Sequence, residues 1–306
     1  ATFNGGRFLR EQLDSIYAQS WPDIEVLVCD DCSSDDTVAI LEEYRRSHGL
    51  RFEVNDRNLG FVRNFEKVIS LCTGEFIALA DQDDIWRPDK LEKLMAAIGP
   101  AALVYSNASL IDEEGRELPG SLVGTSGVKP VNGKAFEYFV CNACVTGCTA
   151  LFRRELLELA LPVPECESYH DWWLAVAASR LNGVAYLDAR LTGYRQHGAN
   201  DTGVTVKTGI LSRIAARFGL AAQQAKRRYY ELLRNRAAVY RSMREKLLLT
   251  EQELSFLDDI GRYAECLLGQ RSRFYAIPLA VRHRESLFPA AGTLERSVYI
   301  LSILFR

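Results

Sequence analysis

Phe76-Ile77-Ala78-Leu79-Ala80-Asp81-Gln82-Asp83-Asp84-Ile85-Trp86-Arg87-Pro88 is the stretch on which the fold turns. Residues 76–80 form a short apolar run bounded by Gly74 and a polar turn, the pattern of a buried strand. Pro88 suits the first residue of a following helix. Three carboxylates therefore sit where a strand ends and the chain turns, which is where open α/β sheets bind ligands. Clustered carboxylates repel one another unless a cation offsets the repulsion. A hard divalent ion bridging to a phosphate is the common arrangement. A solvated acidic turn is the alternative that these residues leave open.

The same alternation extends outward. Phe8, Leu9, Leu13, Ile16 and Tyr17 recur at three- and four-residue spacing, predicting a helix over 5–19. Ile24–Cys29 reads as a strand ended by Asp30-Asp31. Ser33-Ser34-Asp35-Asp36 supplies capping oxygens for a helix over 37–46. A strand near 52–54, a turn at Asn55–Gly60, a helix to about Leu71, the helix 88–98 and a strand at 102–105 follow. Loops are expected over 107–135, a strand over 145–152, and helices over 153–161 and 172–181. Strands alternating with helices predict an α/β fold with a mostly parallel, doubly wound sheet and helices on both faces. The carboxyl ends of parallel strands point one way, so Asp30-Asp31 and Asp81–Asp84 should line one crevice.

The chain has 306 residues, with 48% hydrophobic and 25% charged, ordinary for a globular protein. Its net charge of −3 is unevenly spread. Residues 1–204 carry 19 Lys+Arg against 31 Asp+Glu, and residues 205–306 carry 18 against 9. The second part is also predicted to be mainly helical, which places a domain boundary near 204. No apolar run is long enough to span a bilayer. The segment Ala1–Gly5 reads as a strand end and turn, so a preceding strand is expected and an N-terminal signal stays open. The eight cysteines are expected to be reduced and to behave as small hydrophobes, which fits a cytosolic location. Cys141, Cys144 and Cys148 lack the second pair of a zinc motif.

An ordered series of motifs carries a resemblance. Ala1-Thr2-Phe3-Asn4-Gly5 comes first, then Val28-Cys29-Asp30-Asp31-Cys32-Ser33 with Asp36-Thr37, then Asn58-Leu59-Gly60 and Ala80–Trp86. The series resembles the family 2 glycosyltransferases with the GT-A fold. Thr146–Ala150, His170-Asp171-Trp172-Trp173 and Tyr194-Arg195-Gln196-His197-Gly198 resemble the branch containing bacterial rhamnosyltransferases and other cell-surface glycan enzymes. The likeness covers residues 1–200.

The resemblance implies an inverting, Mg²⁺- or Mn²⁺-dependent glycosyltransferase. Its donor would be a nucleotide-sugar such as dTDP-rhamnose or a UDP-hexose, and its acceptor a glycan or lipid-linked oligosaccharide. Carried over, Asp31 would bond the nucleobase and Phe3 would flank it, where the family often has Tyr. Asp81-Gln82-Asp83 resembles the D-x-D element, with Asp83 on the metal and Asp81 at the ribose or the metal's water shell. Asp171 matches the catalytic base, and His197 a further metal or diphosphate ligand. Arg63, at the start of a helix, is a candidate nucleotide contact. Trp172 and Trp173 are candidates for stacking on the acceptor sugar and for desolvating Asp171. Arg195 suits either a phosphate contact or a structural ion pair, and Asp30 a structural role.

Residues 207–246 hold 11 Lys+Arg against Glu231 and Glu245. Ile210, Leu211, Ile214, Phe218 and Leu220 fall on one helical face, a basic amphipathic pattern that suits either the inner membrane surface or docking on the catalytic domain. The tail Val298–Arg306 suits an anchor or a homodimer contact. Nucleic acid is not expected as a partner, since no aromatic–basic RNA motif is present. A sugar-phosphate nucleotidyltransferase would need a Gly-rich, Arg-containing loop after the first strand, which is absent. The third reading, a non-catalytic nucleotide-sugar-binding or scaffolding protein, is opposed by the retention of Asp83, Asp171 and His197.

Overall fold

The computed structural model of the chain describes residues 1–126, 129–198, 220–289, 296, 300 and 303. The expected boundary near 204, the amphipathic stretch 207–219 and most of the tail 298–306 lie outside them. The elements alternate as the pattern requires: α1 (Gly6–Tyr17), β1 (Leu27–Asp30), α2 (Thr37–His48), β2 (Arg51–Val54), α3 (Phe61–Leu71), β3 (Phe76–Ala78), β4 (Ile85–Trp86) and α4 (Lys90–Ile98). In α1 the predicted face is the buried one, with Leu9, Leu13 and Ile16 inside. Then come β5 (Leu103–Ile111), β6 (Glu117–Leu118), α5 (Leu122–Ser126), α6 (Phe136–Cys141), β7 (Ala150–Arg153), α7 (Leu156–Ala160), α8 (His170–Arg180) and β8 (Val184–Arg195).

Strands β1 and β2 pair in parallel, and Thr2 lies beside Asp30 as a parallel bridge. The larger sheet runs β3-β7-β5-β8-β4, with β6 on β5. Its pairing is more mixed than strand–helix alternation suggests. Only β5–β8 is parallel; β3–β7, β7–β5 and β8–β4 are antiparallel. A parallel pair needs a long crossover, which the stretch from β5 to β8 supplies, whereas the acidic turn carries the chain from β3 across to β4 at the other end of the strand order. A cavity of about 580 Å³ lies between the two sheets, lined by Ala1, Val28, Phe65, Ile77, Leu79 and Leu151 among others.

The C-terminal part is helical: α9 (Leu220–Ser242), α10 (Glu251–Leu267), α11 (Ala276–Arg282) and α12 (Arg284–Leu287). Thr250 and Glu253 cap α10 reciprocally. These helices dock on the α/β part: Leu233, Ala237, Tyr240 and Ile260 join Phe136, Phe139 and Trp173 in one apolar core. Of the two roles weighed for the basic region, docking is therefore realised by its described residues. No described helix is long and apolar enough to cross a membrane.

Candidate active site

The acidic turn leaves the sheet just beyond β3 and returns at once into β4, which pairs with β8 through Ile85 and Gly193. The end of β8 thereby lies against the turn. His197, two residues past β8, brings its Nε2 to 2.7 Å from Asp83 Oδ2. Arg195, 1% exposed, staples the loops together. Its backbone N–H donates to Asp84 Oδ1 at 3.0 Å and its Nε to the Asp83 carbonyl at 2.6 Å. Its terminal nitrogens donate to the Asp112 and Glu113 carbonyls and to Glu11 Oε2. Of the two roles weighed for Arg195, the structural one is realised.

The segment carrying Phe3 is tied to the same turn. Phe3 N–H donates to Gln82 Oε1 at 2.8 Å, and Gln82 Nε2 returns a bond to the Phe3 carbonyl at 3.0 Å. The approach is so close that a Cβ at Gly5 would stand 2.3 Å from Gln82 Oε1. Phe3 is left 47% exposed. Asp31, 2% exposed, accepts from Asn55 Nδ2 and Leu59 N–H through Oδ1 and from Gly60 N–H through Oδ2. Its carboxylate thus anchors the Asn58-Leu59-Gly60 turn. The nucleobase contact expected of Asp31 must share that carboxylate with three protein donors. Asp30 is structural, bound by Thr2 and Ser33. Arg63 pairs with Glu66 and with the Val163 carbonyl, 2.9 Å away.

Asp171 opens the first turn of α8. Its Oδ2 accepts from Gly147 N–H at 2.9 Å and its Oδ1 from Trp172 N–H at 2.7 Å. Burial pushes its carboxyl up to about 6, against the pull of those hydrogen bonds. Asp81 is pushed up to about 7, first by burial and then by the charges of Asp83 and Asp171. Asp81 thus senses the charges of both carboxylates. The turn Gly147–Thr149 links the two sides, because the Cys148 carbonyl accepts from Lys90 Nζ at 2.5 Å. Lys90 is wholly buried, 3.6 Å above the Trp86 ring, and burial pushes its amine down to about 7.

Two expectations are corrected. Trp173 has no exposed surface and Trp172 only 9%. Their indole N–H groups donate to the Ala160 and Phe139 carbonyls. Arg236 stacks on the Trp172 ring, and Tyr240 packs against Trp173. Neither ring offers a face to an acceptor sugar. Paired aromatics in a helix satisfy the core as readily as they would a sugar, and burial decided between the two. Sequence reasoning also missed Lys90, which in a one-dimensional reading belongs to a solvated helical face. Gln82 and Gly147 lie inside quoted motifs, but nothing local revealed their hydrogen bonds.

Two carboxylate clusters bear on metal binding. Ligand atoms of Asp81, Asp84 and Cys148 lie within 4.8 Å of one another. Burial holds the Cys148 thiol well above its usual pKa, so it is a poor ligand for a hard cation. Asp83 with His197, an oxygen and an imidazole nitrogen already converging, is the donor set that suits Mg²⁺ or Mn²⁺ better.

The sequence pattern described as Glycosyl transferase family 2 matches residues 1–159. A dTDP-rhamnosyl transferase RfbG of Shigella flexneri is 31% identical over 228 residues, 67% of this chain and 74% of that protein. A putative glycosyltransferase EpsH of Bacillus subtilis is 30% identical over 207 residues, 64% of this chain and 59% of that protein. Among solved structures, S. aureus TarS 1-349 in complex with UDP-GlcNAc superposes with a TM-score of 0.58 at 18% identity, covering 94% of this chain and 79% of that one. That likeness speaks for the fold. The chain belongs to glycosyl transferase family 2 and is a glycosyltransferase with the GT-A fold.

Proposed function

We propose that this protein moves a sugar, with inversion, from a nucleotide diphosphate donor to a hydroxyl of a glycan or lipid-linked acceptor. The observation that supports the reading is the 2.7 Å contact of His197 with Asp83 just beyond the strand ends, with the Asp171 carboxyl, raised by burial, near enough for its charge to act on Asp81. Phe3 flanks the nucleobase, Asp31 supports its turn and offers it a carboxylate, and Asp81 stands toward the ribose. Asp83 and His197 would hold Mg²⁺ or Mn²⁺, which when bound would supply Lewis-acid stabilisation of negative charge on the diphosphate.

Asp171 accepts the proton of the attacking acceptor hydroxyl. With its pKa near 6 it is ionised at neutral pH yet basic enough to take a proton, and general-base assistance of this kind contributes about 10²–10⁴-fold. The bonds from Gly147 and Trp172 hold its carboxylate in one orientation. The N-terminal end of α8 favours the anion. Protonation of Asp81 in the empty pocket keeps like charges apart, and a bound cation would release that proton.

The donor reading rests on the rhamnosyl transferase relative, with dTDP-rhamnose first and UDP-hexoses second. A peripheral position on an anionic membrane surface fits the exposed Phe274 and Tyr275, which are near in sequence to the exposed Arg271, Arg282 and Arg284, each of them paired with an acidic side chain. Release of nucleotide diphosphate from a panel of nucleotide sugars, with and without EDTA, tests the reading. No release from any donor, or full release in EDTA, would overturn it.

A further inference from the structure

The C-terminal helices reach the base through one side chain. Arg236, in α9, is wholly buried. Its Nε and Nη2 donate to the two carboxylate oxygens of Glu167, four residues before Asp171. Its Nη1 points to the Val140 carbonyl at 3.4 Å. The guanidinium carbon stands 3.5 Å over the centre of the Trp172 ring. Tyr240, one turn further along α9, also donates to Glu167.

A fully buried ion pair is a poor source of stability, because removing two charges from water costs as much as their attraction returns or more. Well-packed apolar residues of similar volume commonly serve stability as well. What a planar guanidinium adds is geometry: a bidentate fork on one side and a flat face on the other. Here the fork grips the segment leading into α8, and the face covers the residue that gives its N–H to Asp171. The indole of that residue is fixed in turn to the Phe139 carbonyl at 2.5 Å. The first turn of α8 is thus held on both sides. The Arg236 cation also acts on Asp171, opposing the effect of burial.

We infer that Arg236 is a positioning residue for the base: the C-terminal region supplies the Arg236–Glu167 clamp that orients Trp172 and, through it, the Asp171 carboxylate. The inference rests on Asp171 being the base. It implies that the α/β part alone holds an incomplete catalytic site, although the residues assigned above to the donor, the cation and the base belong to it.

The test compares three full-length proteins with dTDP-rhamnose and UDP-GlcNAc as donor probes. Arg236→Met combined with Glu167→Gln removes both charges, keeps an acceptor for Tyr240, and leaves an apolar chain over Trp172. Arg236→Lys keeps the charge without the planar fork. The expected result is a double variant that melts within a few degrees of the wild type and binds dTDP and UDP within twofold. Its kcat falls at least tenfold with donor KM little changed, and Arg236→Lys lies between. A folded double variant with wild-type kcat would overturn the inference, as would Arg236→Lys with wild-type kcat should the double variant not fold. Failure of the wild type to release nucleotide diphosphate from any donor is a different result, and it removes the functional reading together with this one.

Discussion

His197 Nε2 stands 2.7 Å from Asp83 Oδ2, joining the end of the last strand of the sheet to the acidic turn 114 residues earlier. Both side chains are more than four-fifths buried, so the contact is shielded from bulk solvent. On the reading proposed above, this imidazole and this carboxylate would supply two ligands to a divalent cation. His197→Ala and Asp83→Asn are each expected to weaken Mn²⁺ or Mg²⁺ activation and to lower turnover by about 10²-fold or more. Metal titrations of donor turnover measure this, and an unchanged activation constant in both variants would contradict it.

The carboxylates also predict how a cation should affect stability. The folded-state pKa of Asp81 is raised to about 7. A raised acid favours the folded state at low pH, and that contribution is lost as pH rises through the folded value. A cation held by the neighbouring Asp83 would favour the ionised form of Asp81 and so displace that proton. Added Mg²⁺ or Mn²⁺ should therefore raise the melting temperature more at pH 8 than at pH 5. Equal shifts at both pH values would count against the site.

On the proposed reading, Asp171 would set the acid limb of the rate profile. Its carboxyl is pushed up to about 6, so turnover should rise with pH through that value and level off above it. Asp171→Asn should lower kcat by about 10²–10⁴-fold, leaving donor KM within a few-fold. Steady-state kinetics from pH 5 to 9 on both proteins decide the matter.

Gly5 tests the proposed nucleotide wall at Phe3. An added Cβ would meet Gln82 Oε1 at 2.3 Å and displace the side chain that holds Phe3 by two hydrogen bonds. Gly5→Ala should raise donor KM several-fold with little change in kcat. Isothermal titration with the nucleoside diphosphate alone should show the same loss.

If Phe274 and Tyr275 meet a membrane, replacing both with Ser should reduce binding to anionic vesicles about tenfold or more without altering turnover of a soluble donor. Co-sedimentation with phosphatidylglycerol vesicles measures it. Equal binding by wild type and variant would remove these residues from the interface.

Much of the α/β pattern was legible because apolar periodicity and turn residues are local properties. The run 76–80 read as a buried strand left through Asp81–Asp84, and β3 spans Phe76–Ala78 of it. Motif order alone pointed to Asp83, Asp171 and His197, although the chain sets them far apart. Sheet polarity was less legible: whether β7 returns parallel or antiparallel depends on where a long loop lets it go.

Tertiary structure alone decided the surroundings of those residues. Trp172 and Trp173 carry the same letters whether they meet a sugar or a core, and the C-terminal helices settled that by covering them. Lys90 became a buried amine because the fold placed the Cys148 carbonyl above it. Arg236 is one of many cations in a basic stretch until Glu167 and Trp172 close around it. Side-chain type and order specify which groups are present; burial and partners, which depend on distant parts of the chain, specify what those groups do.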